Sequence, residues 1–417
     1  MFIHGRPPSL LLNEHAAVRR RQRGGIVMNT RRPTLMQGVL SAAVAVFTVP
    51  VARAAMPPAP PADCSVAGGY TQRNLVANSP ALGAENVDPH LINPWGLAFN
   101  PTGVSWVANN GTGTSSLYDG NGVQQPLIVG IPAPPGLAEL GTPTGVVFNG
   151  SEAFVVSGTG VSGPARFIFA TEQGLLAAWA PMVDESWAMV VADSSTAGAV
   201  YKGLALAGSG ADAMLYAADF RHGRIDVFNS RFTRMPMPGA FEDPSLPAGY
   251  APFNIQNVEG TLYVSYAQQD AGLTDDVPGV GAGYINAFDL NGQLLRRFAS
   301  QGALNAPWGM ALAPAGFGQF SNHLLVGNFG DGTIHAYDLA SGAWAGALTW
   351  PDGQPVVVDG LWALTFGNGV QGQPAQALFF TAGPADETQG LYGRLDMMPA
   401  CPQGLPPWKE PRGPEAQ

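Results

Sequence analysis

A short phrase returns six times along this chain: a proline or bulky residue, one variable side chain, then glycine and an apolar run. It is clearest as Pro94-Trp95-Gly96-Leu97-Ala98-Phe99 and Pro307-Trp308-Gly309-Met310-Ala311-Leu312. Weaker copies are Pro143-Thr144-Gly145-Val146-Val147-Phe148, Tyr201-Lys202-Gly203-Leu204-Ala205-Leu206, Pro252-Phe253-Asn254-Ile255 and Leu361-Trp362-Ala363-Leu364. Their starts are separated by 49, 58, 51, 55 and 54 residues. A unit of that size cannot bury an apolar face alone, so it must stack on its neighbours.

Each phrase is followed by a second apolar run, such as Ser105-Trp106-Val107-Ala108-Asn109 or Leu324-Leu325-Val326-Gly327-Asn328. A third comes next, as in Arg224-Ile225-Asp226-Val227-Phe228-Asn229, and a fainter fourth, as in Leu294-Leu295-Arg296-Arg297-Phe298. These runs are short, rich in β-branched and aromatic residues, and bounded by Gly, Asn and Asp, which predicts strands. Asp289-Leu290-Asn291-Gly292 and Asp119-Gly120-Asn121-Gly122 read as tight turns between them. Four antiparallel strands per unit, six times over, predict an all-β fold: a six-bladed β-propeller over residues 70–398. A seven-bladed count stays open. The 58-residue unit holds an extra apolar run, Ala153-Phe154-Val155-Val156, which predicts an irregular or extended blade.

Several phrases resemble a family. They are Asn93-Pro94-Trp95-Gly96-Leu97-Ala98, Gly163 to Glu172, Tyr201 to Leu206, Asp219 to Phe228, Gly249 to Gln256 and Asn305 to Gly309. In these the chain resembles a family of exported bacterial propellers distantly similar to NHL-repeat proteins. The resemblance implies a fold and export, and carries no activity with it.

Residues 1–54 read as lying outside the fold. Arg31-Arg32 precede an apolar run from Val39 to Val51 that ends in Ala52-Arg53-Ala54, the layout of a secretory signal peptide. Met28 stands where a start is expected, so residues 1–27 read as a non-native extension. The arginine pair could mark twin-arginine export, but only the pair itself matches, which favours an ordinary basic region. Residues 55–69 form a Pro-rich linker and residues 399–417 a Pro-rich tail. Without the first 54 residues, 8 of 20 basic and 1 of 30 acidic residues are lost, so the mature charge is 12 − 29 = −17. Such an acidic chain excludes nucleic acid as a natural partner. The mature chain is expected to be secreted or periplasmic, with no membrane span.

Cys64 and Cys401 are the two cysteines of the chain. A propeller's ends must meet, and Tyr70 to Ala77 is the expected closing strand. An oxidising compartment would let Cys64 and Cys401 staple the ring, contributing about 5 kcal/mol by loop entropy and less where the ends are already held. Two cysteines without a nearby His pair match no zinc spacing.

Strand direction gathers candidate residues at one mouth of the central channel. They are Asn93, Trp95, Asn109, Lys202, Asp219, Arg221, Asn254, Trp308 and Asn328 as ligand-binding residues, with the turn Ala267 to Gly283 able to fold over them. Glu172 and Asp219 could supply oxygen ligands to a single divalent cation, although Asp and Asn after a strand are ordinary turn formers. Lys202 is the one lysine between the signal and Lys409. It could serve as a catalytic or anion-binding cation. Trp95, Trp308 and Trp362 share a repeat position. They are expected to pack between blades, with an aromatic channel floor as the alternative. No nucleophile elbow, zinc-protease motif or phosphate loop is present. These features point to a non-catalytic module binding a small molecule, glycan or extracytoplasmic protein without a cofactor. A metal-dependent lactonase-type hydrolase is the alternative.

Overall fold

The computed structural model describes residues 69–137 and 140–398. Their regular structure is strand, interrupted only by single 3-10 turns. Six sheets, each with four antiparallel strands, stand in a ring. Their inner strands are Pro94–Phe99, Pro143–Phe148, Tyr201–Ala207, Tyr250–Val258, Pro307–Leu312 and Leu361–Phe366, and we number blades I to VI in that order. Each inner strand packs on the next, and the sixth packs on the first. The six-bladed propeller and its repeat phase are therefore as the sequence predicts.

Turn chemistry holds the hairpins. In blade I the Asp119 carboxylate accepts from the amides of Asn121 and Val123 at 2.8 and 2.9 Å. In blade IV Asp289 accepts from Asn291 and Gln293 at 2.9 and 2.8 Å. The extra run in blade II becomes a small hairpin, Val155–Ser157 against Ser162–Pro164, inserted before the second strand.

The ring is closed by the chain's own beginning. Gly69–Ala77 is the outer strand of blade VI, antiparallel to Leu391–Met398, with Gly69 opposite Met398 and Ala77 opposite Leu391. Cys64 and Cys401, the expected staple, lie outside the described residues, as do residues 1–68 and the tail. Among the described residues no helix is long and apolar enough to cross a membrane.

The core is divided rather than central. Five buried apolar clusters each fill a seam between two blades, and a sixth joins blades I and VI and runs on across the axis through Phe220, Phe253 and Trp308. Ile168, Leu176, Tyr201, Leu204 and Leu215 join blades II and III, for example, while Leu97, Val107, Tyr118, Phe379 and Tyr392 join I and VI. The repeat glycine sets how closely the inner strands approach. A Cβ on Gly96 would lie 2.3 Å from the Thr144 carbonyl oxygen of the next blade, and one on Gly309 would lie 2.4 Å from that of Trp362. Blade IV carries Asn254 at this position, and its amide donates to the Trp308 carbonyl at 2.7 Å. The side chain thereby bonds across the seam.

Gly96→Val and Gly309→Val should each destabilise the protein by about 1–3 kcal/mol or more, since backbone cannot yield to the added atoms. Gly279→Ala, whose Cβ meets only Ala282 at 3.5 Å, should stay within about 0.5 kcal/mol. Denaturant unfolding of the three variants checks this.

Candidate functional site

Blade by blade the second residues of the phrases are Trp95, Thr144, Lys202, Phe253, Trp308 and Trp362. Five of them meet across the propeller axis, while Thr144 donates to the Tyr201 carbonyl of blade III at 2.8 Å. Trp95 and Trp362 stack at 3.5 Å between ring centroids, and Trp308 stands edge-on to both at 6.0 and 5.7 Å. Phe253 approaches Trp362 at 6.0 Å. The three tryptophans therefore form a floor across the channel instead of packing between blades. The reason is a β-bulge: in every inner strand the pairing with the second strand skips the second residue of the phrase, and a bulge re-aims the side chain it carries. Below this floor the channel narrows to about 30 Å³, lined by inner-strand residues including Gly145, Asn254 and Met310. That is room for about one water.

Lys202 is the only charged member of the set, and it is fully buried. Its ammonium lies 4.9 Å from the Trp95 ring centroid, in cation–π range. Nζ donates to Glu172 at 2.6 Å and to Asp275 at 2.8 Å. Burial alone would depress this group, but the two carboxylates outweigh burial and hold it up at about 12.

The carboxylates arrive on turns. Glu172 follows the second strand of blade II, Glu387 follows that of blade VI, and Asp275 and Asp276 lie on the long turn of blade IV. That turn folds over the mouth. Gln269 donates to the Phe220 carbonyl of blade III at 2.6 Å, and the Gly279 amide donates to Asn305, before blade V, at 2.7 Å. Asn110 donates to Glu172 at 2.9 Å, and Asn93 donates to Glu387 while accepting from the Trp362 indole at 3.0 Å. Four carboxyl groups thus surround one ammonium. Burial pushes Asp276 up to about 7, with Lys202 only partly opposing it. Burial also raises Glu387, against the Asn93 hydrogen bond. One Asp276 oxygen is buried without a partner.

The structure brings Asn93, Trp95, Glu172, Lys202 and Trp308 together at this mouth. Other expected residues tie the scaffold. Asn109 donates to Thr114 and Ser116 of its own hairpin at 3.1 and 2.9 Å. Asn328 donates to the Ala303 carbonyl and to Thr333 at 2.8 and 3.1 Å. Asp219 meets His222 at 2.8 Å and Arg224 at 3.1 Å. Asn254 bridges blades IV and V. Arg221 sits on the blade III turn beneath Gln269, and its Nε is buried without a partner. Glu172 and Asp219, expected as cation ligands, are thus each engaged by different protein groups. Among the described residues no group of three or more His, Cys, Asp or Glu is arranged to hold a metal.

Sequence reasoning missed Phe220 and Phe329. Phe220 lies 5.4 Å from Phe253, and Phe329 stacks on Trp362 at 4.0 Å. Both follow the last residue of a second strand, Asp219 and Asn328, as Asn110 follows Asn109 and Glu172 follows Thr171. The strand-end residue binds its own turn and the next one faces the mouth. That register was the available signal.

The chain is a six-bladed propeller whose axis is closed by aromatic side chains beneath an acid-rimmed mouth. No family model matches it. It is 34% identical over 330 residues to Uncharacterized protein R648 of Acanthamoeba polyphaga mimivirus, covering 77% of this chain and 79% of that one. It is 35% identical over 329 residues to Uncharacterized protein L690 of the same virus, covering 77% and 84%. The chain belongs to the family of these two proteins. That family therefore includes viral members, where the quoted phrases implied a bacterial one. A solved protein of unknown function from Bacteroides thetaiotaomicron shares the fold, with 9% identity, TM-score 0.50, and coverage of 79% of this chain and 76% of that one.

The raised carboxyl group has a consequence for stability. Asp276 keeps its proton in the folded state up to about pH 7, while the unfolded chain loses it near its ordinary value of about 3.9. Its contribution is therefore fully present in acid and is lost as pH rises through 7. Asp276→Asn should gain in melting temperature over the wild type between pH 5 and pH 8. Thermal unfolding at both pH values measures this, and an unchanged difference would refute it.

Proposed function

We propose that this chain is an exported, non-catalytic binding propeller whose ligand enters the channel mouth beneath the 269–283 turn. One observation carries the reading: blades II, III, IV and VI deliver Glu172, Lys202, Asp275, Asp276 and Glu387 to one place above the tryptophan floor. A rigid ring presenting polar groups on turns is how scaffolds of this kind carry recognition. The excess of carboxyl groups over the single ammonium favours a small polar ligand that offers hydrogen-bond donors or positive charge. The sealed floor favours a ligand held at the rim rather than one passing through the ring.

Tryptophan fluorescence and thermal shift against small organic cations, polyols and oligosaccharides test the site. A true ligand should quench or shift the Trp95–Trp362 emission and raise the melting temperature. Glu387→Gln should weaken it about ten-fold, the loss expected for one charge-assisted hydrogen bond. A ligand whose affinity is indifferent to Glu387→Gln, Asp276→Asn and Asp275→Asn binds elsewhere, and the reading fails.

Export rests on the basic, apolar and Ala-x-Ala layout of residues 31–54. The pairing of Gly69 with Met398 supports a Cys64–Cys401 staple, because Cys64 precedes Gly69 and Cys401 follows Met398 by only a few residues. Mass spectrometry of the secreted protein should find Ala55 at the N-terminus and a Cys64–Cys401 peptide pair without reductant. Retention in the cytoplasm with both thiols alkylatable would overturn this part.

A further inference from the structure

We propose that the open outer edge of blade III binds an extended peptide carrying acidic side chains. The third strand of this blade, Arg224–Asn229, is covered on its outer side by only two residues, Arg234–Met235. The outer strands of the other blades run from four residues in blade V to nine in blade VI. Register shows which backbone groups are left unpaired, on a residue, Ile225, that is itself 8% exposed. The Asn229 amide donates to the Thr233 carbonyl at 3.0 Å, and Val227 lies opposite Met235. Because backbone groups alternate sides along a strand, Ile225 is the next residue whose N–H and C=O face outward. Among the described residues nothing pairs with it on that side. An unpaired strand edge is a template for an added strand.

The edge opens into a groove of about 730 Å³, bounded on the far side by residues 234–242. The chemistry of its walls selects the occupant. Arg224 and Arg234 are 41% and 47% exposed, and both pair with the buried carboxylate Asp226. Arg224 also reaches Asp219. Each guanidinium carries five donors in a fork, of which these carboxylates take two on Arg224 and one on Arg234, and both side chains line the groove. Exposed Glu242 at the far end and His222 at the near end complete the charged groups. Met235 and Met237 line the apolar part, and their flexible thioethers adapt to varied side chains. An extended peptide would place backbone against Ile225 and carboxylates on the two arginines, its apolar side chains lying along the methionines.

The test is fluorescence anisotropy of a labelled hexapeptide of alternating glutamate and valine, titrated with the whole protein. Saturable binding is expected, together with slowed amide exchange across residues 222–227. Binding should weaken about ten-fold in Arg234→Gln, consistent with one lost charge-assisted bond. It should disappear when the central valine is N-methylated or when lysine replaces glutamate. The proposal is overturned by absence of saturable binding, by equal affinity for the N-methylated peptide, or by exchange protection confined to the 269–283 turn. Should Arg234→Gln fail to fold, the N-methylated peptide and the exchange map on the wild type decide the question.

Discussion

Everything in this molecule depends on how closely six inner strands can approach around one axis. In four blades the repeat glycine permits backbone from one blade to lie against the next at distances where a Cβ would collide, while blades IV and VI carry Asn254 and Ala363 there. With the seam so thin, most apolar contacts form in sheets between blades, and the aromatic cluster on the axis joins them. Stability is then carried by six similar interfaces, each dependent on its two neighbours. Closure by Gly69–Ala77 matters for the same reason, because without that strand the seam between blades VI and I would rest on an incomplete sheet.

The tight ring also determines the electrostatics. With tryptophan filling the axis, Lys202 stands as a buried ammonium that would be costly alone. Glu172 and Asp275 offset that cost, and the second of these ties the long blade IV turn over the channel. The remaining carboxyl groups are over-provided. Asp276 and Glu387 have no cation of their own and are driven toward their neutral forms, a tension that a donor-bearing ligand would relieve. Perturbed carboxyl groups in a concave mouth are a recognised mark of functional sites, and here geometry and electrostatics point to the same few residues.

Two places differ from what the sequence suggests. Trp95, Trp308 and Trp362 were legible as equivalent positions, but not the bulge that leaves each unpaired and turns it to the axis. Likewise Asn109, Asp219 and Asn328 were legible as strand ends, yet they satisfy their own turns and leave Asn110, Phe220 and Phe329 to the mouth. The 269–283 turn was legible as a long acidic loop beside Lys202, though not the bonds to Phe220 and Asn305 that position it.

From the sequence alone came the repeat, the strand content, the six blades, the closing strand and the singular lysine, because these follow from local pattern and from the demand that each unit bury one face. Only the tertiary structure decided that Lys202 meets Glu172 from one blade and Asp275 from another, and that an acidic rim caps an aromatic floor. It alone left blade III with an unpaired edge. These contacts join residues tens to hundreds of positions apart, and their partners are chosen by ring geometry, which no local pattern encodes.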